Sequence, residues 1–238
     1  MKFSDYLSES INDKGIFKAV FFAGSPGAGK SYVSKQITSG GVAPRLVNTD
    51  KAYEHLVHTA GAQFSGTADE YVDKAMQLTQ TSLVNYINGV LPLYIDGTSN
   101  SPSSLFQRMG ILESFGYDVG MVFINTDLDV ALDRAASRER FVPPDFIKAV
   151  HAKVNKNKSF YASKFGRNFV EITNNGELTD EVILGGYRKM SSFFNSPIQS
   201  PIGQDLKERM VEDRQQYLAP NYFSIEQIQK KVSVWYSS

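Results

Sequence analysis

Short apolar runs alternate along the chain with segments in which apolar residues recur every three or four positions. The runs are bounded by glycine or polar residues, and they predict β-strands at Phe17–Ala23, Arg45–Asn48, Leu91–Asp96, Tyr117–Asn125 and Asn168–Ile172. The helical spacing is carried by Val72, Ala75, Thr79, Leu83 and Ile87, and again by Phe146, Val150, Val154, Tyr161 and Phe165. We expect most of these side chains to lie in the core. This alternation predicts an α/β fold with a five-stranded parallel sheet flanked by helices.

The pattern changes after Asn195, where "NSPIQSPIGQ" carries two prolines and few apolar residues, as a linker does. Two short helices are predicted beyond it, at Leu206–Tyr217 and Ser224–Val234. We therefore divide the chain into an N-terminal leader (1–16), a main domain (17–194) and a small α-helical C-terminal appendage (195–238). The appendage either packs on the main domain or binds a partner or substrate through its aromatic residues, Tyr217, Tyr222, Phe223, Trp235 and Tyr236.

The stretch "VFFAGSPGAGKSYVSK" follows the first predicted strand and satisfies the G-x-x-x-x-G-K-[ST] pattern of a phosphate-binding P-loop. Backbone N–H groups of such a loop, with a helix N-terminus behind them, form a cradle for anions. Lys30 would reach the terminal phosphates, and the Ser31 hydroxyl suits a hard Mg²⁺ ion. The predicted nucleotide-binding residues here are Gly24, Ser25, Pro26, Gly27, Ala28, Gly29, Lys30, Ser31 and Tyr32. The fold expected is that of a P-loop NTPase.

Composition narrows the function classes. The chain has 238 residues, enough for one sizeable α/β core with a small appendage. Lys+Arg and Asp+Glu both number 25, so the protein lacks the global positive charge of a nonspecific nucleic-acid binder. It has no cysteine, which excludes disulfides and thiolate chemistry. No stretch of eighteen apolar residues is present, so we expect no membrane partner and a cytoplasmic location.

Two acidic residues follow predicted strands, at the edge of a parallel sheet where ligands bind. Asp50 follows "RLVNT" and would accept a proton from a substrate hydroxyl; the alternative is that it caps the next helix. Asp96 ends "LPLYID" and would hold Mg²⁺ or bind substrate together with Thr98, although Asp-Gly is also ordinary turn chemistry.

A basic segment runs from Arg134 to Arg167, with nine lysines and arginines against two acidic residues. Arg134 and Arg138 lie four positions apart on one predicted helix face, and Arg140 follows in a turn. Guanidinium groups on a mobile lid neutralise charge during phosphoryl transfer, so we assign these three arginines to catalysis. The lysines are better explained by a solvated helix face.

The sequence resembles a family at this point: the P-loop kinases that include zeta toxins and polynucleotide kinases. The resemblance covers about Phe17 to Glu177 through "GSPGAGKS", "VNTD", "YIDGTS", "VFINTDLDVALDRAASRERFVPPDFI" and "EITNNGE". It implies that Lys30 and Ser31 bind ATP and Mg²⁺. It also implies that Asp50 is the general base and that Asp96 and Thr98 face the acceptor. Two further roles implied by it are phosphoryl stabilisation by Arg134 and Arg140 and packing of adenine at Asn174.

Two departures from the family bear on the acceptor. Zeta toxins usually carry an arginine where this chain has Asn100, which argues against UDP-N-acetylglucosamine as substrate. Polynucleotide kinases place an arginine just after the base, and Lys51 is the nearby cation here. The leading hypothesis is an ATP-dependent kinase for a hydroxyl of a nucleotide, a nucleotide sugar or a nucleic acid. The alternative is an ATP-dependent switch or interaction protein without phosphotransfer.

The opening "MKFSDYLSE" resembles the short N-terminal leaders of proteins from large tailed phages. This resemblance suggests a phage-encoded protein acting in the host cytoplasm.

Overall fold

A computed structural model describes residues 14–37, 44–61, 70–137, 141–176, 179–215 and 223–236. Within them, one parallel five-stranded sheet has the order β2-β3-β1-β4-β5. The strands are β1 (Lys18–Ala23), β2 (Arg45–Val47), β3 (Leu93–Asp96), β4 (Asp118–Asn125) and β5 (Phe169–Thr173). The predicted α/β architecture is therefore confirmed.

Helices connect the strands and cover the sheet. They are α1 (Lys30–Ile37), α2 (Thr49–Thr59), α3 (Glu70–Asn88), α4 (Pro102–Glu113), α5 (Leu128–Ala136), α6 (Pro144–Phe165), α7 (Asp180–Asn195), α8 (Pro201–Gln215) and α9 (Ile225–Tyr236). A 3₁₀ turn, Gly166–Asn168, leads into β5.

The central strand β1 is buried along its whole length, as parallel strands covered on both faces are. Its alternate residues serve two separate cores. Ala19 and Phe21 face a core formed with α3, α4, α6 and α9, while Val20 and Phe22 face one formed with α1 and α7. This burial fixes the carboxyl end of β1, from which the P-loop starts.

The predicted helix face around residue 150 requires one correction. Phe146 is 53% exposed, whereas its neighbour Ile147 is 1% exposed and lies in the buried face of α6. The reason is the angular position of each residue around the helix axis. The buried stripe of α6 is defined by Val150, Val154 and the later buried positions; it contains position 147, and position 146 lies beside it.

The segment after Asn195 does not behave as the free linker that its composition predicts. The Lys18 ammonium, 1% exposed, donates to Asp118 Oδ2 at 2.6 Å and to Ser196 Oγ and Pro197 O, both at 3.0 Å. Asp118 in turn accepts the main-chain N–H groups of Gln199 and Ser200, both at 2.8 Å. A buried ion pair on the sheet thus fixes residues 196–200 before α8 begins at Pro201.

The described part of the appendage packs into the main core. Ile228, Val232 and Trp235 of α9 are each at most 2% exposed and join the cluster that contains Phe21. The division at residue 195 stays a prediction. Residues 1–13, with the predicted leader, and the aromatic residues Tyr217 and Tyr222 lie outside the described residues.

Candidate active site

The P-loop connects the carboxyl end of β1 to the first turn of α1. Gly27 and Gly29 both have φ of 84°, in the left-handed region that favours glycine. A Cβ on Gly27 would lie 2.0 Å from the carbonyl oxygen of Ala131, so the loop is closely packed against α5. Lys30 Nζ donates to the carbonyls of Gly24 and Ser25, at 3.0 and 3.1 Å. The lysine therefore lies on the loop that would cradle the phosphates.

Hydrogen bonds from residues that follow β4 and β5 brace this loop. Asn174, 3% exposed, donates from Nδ2 to the carbonyl of Ala28 at 2.8 Å, and Thr126 Oγ1 donates to the same carbonyl at 3.2 Å. Asn174 thus contacts the P-loop itself, and the adenine contact implied for it stays a prediction. Thr126, at the end of β4, was not identified from the sequence because a lone threonine after a strand carries no distinguishing signal.

Arg134 is held next to the same loop. Its Nη1 donates to the carbonyl of Asn174 at 2.8 Å, and its Nη2 donates to that of Gly176 at 3.2 Å. Nη1 would also lie 3.8 Å from a Cβ placed on Gly29. The structure therefore brings one of the three predicted catalytic arginines to the P-loop. The other two, Arg138 and Arg140, lie outside the described residues, and the lid remains a prediction.

Asp96 at the end of β3 meets the P-loop serine. Its Oδ2 accepts from Asn48 Nδ2 at 2.7 Å and from Ser31 Oγ at 3.3 Å. Its Oδ1 is buried and has no hydrogen-bond partner among the described residues. An unmatched carboxylate oxygen beside a serine hydroxyl fits a hard cation, because Mg²⁺ prefers oxygen ligands. The two residues predicted to hold the metal are thus adjacent.

The start of α2 presents Asp50 to solvent. Asn48, not Asp50, is the N-cap residue, since its side chain accepts the Lys51 N–H at 2.9 Å. The capping alternative for Asp50 is therefore wrong: its carboxylate lies in the first turn, exposed, two residues beyond the Asn48 that contacts Asp96. Asn48 itself was not identified as a site residue from the sequence.

A cavity of about 160 Å³ lies beside these groups, under the loop that follows β3. It is lined by Phe21, Ile95, Gly97, Thr98, Ser99, Asn100, Ser101, Ser104, Leu105 and Arg108. The predicted acceptor residue Thr98 is in this lining, and its carbonyl accepts the Gly24 N–H at 3.4 Å. Tyr161 Oη of α6 donates to the carbonyl of Ser99 at 2.6 Å, which fixes the loop from the other side.

Arg108 is the cationic side chain of the cavity lining, and no motif or spacing in the sequence singled it out. Burial lowers the pKa of its guanidinium, since the charged form is poorly solvated there. Among the described residues, no group of three or more His, Cys, Asp or Glu side chains is placed to bind a metal ion. A Mg²⁺ ion here would therefore complete its shell with phosphate oxygens and water, as is usual for this ion.

A P-loop at the end of a central parallel strand, with an acidic residue on the neighbouring strand and an arginine after the fourth, defines a P-loop kinase. The Zeta toxin family model matches residues 7–180 of this chain. The protein therefore belongs to the Zeta toxin family of P-loop kinases, which makes it an ATP-using phosphotransferase.

Comparison with solved structures agrees at the level of the fold. A putative kinase from Chloroflexus aurantiacus J-10-fl aligns with a TM-score of 0.53 and 14% identity, over 72% of this chain and 97% of that chain. A chain of the Pnkp1/Rnl/Hen1 RNA repair complex aligns with a TM-score of 0.51 and 17% identity, over 63% of this chain and 48% of that chain. A search of curated proteins found no match.

These comparisons do not support the phage origin suggested by the leader.

In the described ranges, no helix is both long and apolar enough to span a bilayer.

Proposed function

We propose that this protein transfers the γ-phosphate of ATP to a hydroxyl group of a nucleotide, a nucleotide sugar or a nucleic acid. One observation carries the proposal: Asp96, with a buried and unmatched oxygen, contacts the P-loop Ser31 beside a cavity of about 160 Å³, which is large enough for part of an acceptor. Phosphate-binding groups and a separate cavity for a second substrate thus meet at one edge of the sheet.

Each residue of the site has a separate role in the proposed reaction. The P-loop N–H groups and Lys30 bind the β- and γ-phosphates, and Arg134, beside the P-loop, stabilises the charge that develops on the transferred group. Ser31 and Asp96 would hold Mg²⁺, which neutralises phosphate charge when it is bound. Asp50 accepts the acceptor's proton while the acceptor oxygen forms the new bond to phosphorus and the bond from phosphorus to the bridging oxygen of ADP breaks.

The test compares Asp50→Asn with the wild type in transfer of labelled γ-phosphate. The acceptors are UDP-sugars, nucleosides, nucleotides, RNA and DNA, including DNA with hydroxymethylated bases. We expect label on one acceptor class, a loss of about 100-fold or more in Asp50→Asn, and unchanged ATP affinity. Asp180→Asn is the matched control, because it removes an exposed carboxylate from the first turn of another helix, α7.

Transfer by Asp50→Asn at the wild-type rate would refute the role of Asp50 as base. ATP binding without transfer to any acceptor of the panel would favour the switch hypothesis.

A further inference from the structure

Arg108 has no task in the reaction proposed above, yet α4 carries it into the lining of the acceptor cavity. Its Nε is buried and has no hydrogen-bond partner in the described part of the chain. Its Nη2 donates to the carbonyl of Trp235, but the distance of 3.4 Å makes this a long contact. A guanidinium offers five N–H donors, so most of its binding capacity is left for something else.

Within the part of the chain that the structure describes, Arg108 has no acidic partner. Among the described residues that line the cavity, none is acidic. The guanidinium also lies 5.3 Å from the ring centroid of Trp235, which stabilises a cation without neutralising it. A partly buried cation in this state favours an anion in the adjoining space.

The carboxyl end of α9 forms the wall behind Arg108. Trp235 is 2% exposed and stacks on Phe21 of the cavity lining, with ring centroids 6.3 Å apart. The next residue, Tyr236, is hydrogen-bonded to Thr49, which directly precedes the proposed base Asp50. The last turn of α9 therefore borders both the cavity and the start of α2, although it lies beyond the residues that the family model matches.

We infer that Arg108, positioned by Trp235 of α9, forms an anion-binding subsite in the acceptor cavity, and that the group it takes is a phosphate carried by the acceptor. The lining supplies four hydroxyl side chains, Thr98, Ser99, Ser101 and Ser104. Several donors around one cation suit the three or more oxygens of a phosphate better than the two of a carboxylate. The inference rests on the proposed function: nucleotides, nucleotide sugars and nucleic acids all carry a phosphate that Arg108 would bind, whereas nucleosides do not.

The size of the cavity is consistent with one part of such an acceptor. Its volume of about 160 Å³ is below the roughly 300 Å³ at which pockets for whole drug-sized ligands begin. It is also several times the share of one water molecule, roughly 30 Å³. A phosphate with its attached carbon fits such a space, and the rest of the acceptor would extend toward Asp50.

Trp235 allows direct observation of the subsite, because it is the chain's single tryptophan and contacts Arg108. The full chain is first saturated with Mg²⁺ and a non-hydrolysable ATP analogue, so that the P-loop cannot bind the added anion. Inorganic phosphate is then titrated while tryptophan fluorescence is recorded, and the titration is repeated with thymidine and thymidine 5′-monophosphate. We expect a saturable change with phosphate and with the monophosphate, and none with thymidine.

Three variants distinguish phosphate binding at Arg108 from phosphate binding elsewhere on the protein. Arg108→Gln should weaken phosphate binding about tenfold or more, because it removes charge-assisted hydrogen bonds. Arg108→Lys keeps the charge and should retain part of the affinity, which covers the case in which Arg108→Gln does not fold. Lys230→Gln loses the same charge from an exposed position on α9 and should bind phosphate as the wild type does.

An absent fluorescence change, or an equal one in Arg108→Gln, would overturn the inference. Equal or tighter binding of acetate than of phosphate would overturn the assignment of phosphate. Asp50→Asn should leave the titration with inorganic phosphate unchanged, since Asp50 is not in the lining of the cavity. Saturable binding without any transfer would thus count against the proposed function alone, and transfer without Arg108-dependent binding would count against the subsite alone.

Discussion

At the scale of single residues, Gly27 shows that backbone conformation and packing together require a glycine in the P-loop. The loop needs a positive φ at this position and leaves no room for a side chain, since the carbonyl of Ala131 would lie 2.0 Å from a Cβ. The obstacle is helix backbone, which cannot rotate away as a flexible side chain would. The glycine of the motif is thus required by packing as well as by phosphate binding.

We expect Gly27→Ala to lower the free energy of unfolding by about 3 kcal/mol or more, because left-handed strain and a backbone collision add together. ATP affinity should fall as well, since relief of the collision moves the loop. Chemical denaturation and ATP titration measure both effects. Gly185→Ala on the exposed side of α7 is the control, with nothing within 4 Å of the new Cβ, and should stabilise by up to about 1 kcal/mol. Equal effects of the two substitutions would contradict the packing argument.

The sequence predicted those site residues that belong to a local pattern. Ser31 and Asp96 were both expected at the metal, and they are in contact. Asn48 and Arg108 were missed for a common reason. Their importance comes from partners far along the chain, Asp96 for one and Trp235 for the other. A single asparagine or arginine on a helix has no periodicity or spacing that indicates such a partner.

At the scale of secondary-structure elements, the strands were predictable because buried parallel strands are continuous apolar runs. The conformation of the segment after α7 was not predictable, since proline and serine residues are typical both of a free linker and of a fixed extended segment. The segment is fixed because the buried ammonium of Lys18 binds Asp118, Ser196 and the carbonyl of Pro197. The cation appears in the sequence as a lone lysine in a strand, with nothing to identify its partners.

We expect Lys18→Met to destabilise the protein by about 3–5 kcal/mol, because it leaves the buried Asp118 carboxylate without its cation. Lys74→Met removes an exposed pair with Glu70 and should cost less than about 1 kcal/mol. Equilibrium denaturation of both variants gives the comparison. A loss as small for Lys18→Met as for Lys74→Met would mean that residues 196–200 are not held by this ion pair.

The last turn of α9 should make stability sensitive to alkali. Burial raises the pKa of Tyr236 to about 12, against the opposing effects of Arg108 and the hydrogen bond to Thr49. Below about pH 10 the phenol is neutral in both states. Between about pH 10 and 12 only the unfolded chain releases the proton, so this part of the stability is lost as the pH rises.

Tyr236→Phe should therefore show a shallower fall in the free energy of unfolding between pH 10 and 12 than the wild type does. Some fall should remain, since burial also raises the pKa of Tyr117 and Tyr161. The measurement is urea denaturation at several pH values. The same slope in Tyr236→Phe as in the wild type would contradict the burial of this phenol.

At the scale of the whole molecule, the described appendage and the sheet share one core, which bears on the predicted boundary at residue 195. Trp235 packs on Phe21 of the central strand, and α9 packs against α3 and α4. Each fully buried apolar side chain contributes about 1.5–3 kcal/mol, and a whole domain is stable by about 5–15 kcal/mol. Ile228, Val232 and Trp235 together thus represent a large share of that stability.

We expect a chain truncated after Phe194 not to unfold cooperatively, because the face of the sheet that contains Phe21 would be exposed to water. Within the full chain, Val232→Ala should cost about 2–3 kcal/mol, since Val232 is fully buried, whereas Val234→Ala, on a residue 41% exposed, should cost less than about 1 kcal/mol. Calorimetry of the truncated chain and of both variants tests this. A truncated chain that melts cooperatively near the temperature of the full protein would show that residues 1–194 fold without the appendage, and the role of α9 would then be confined to the acceptor cavity.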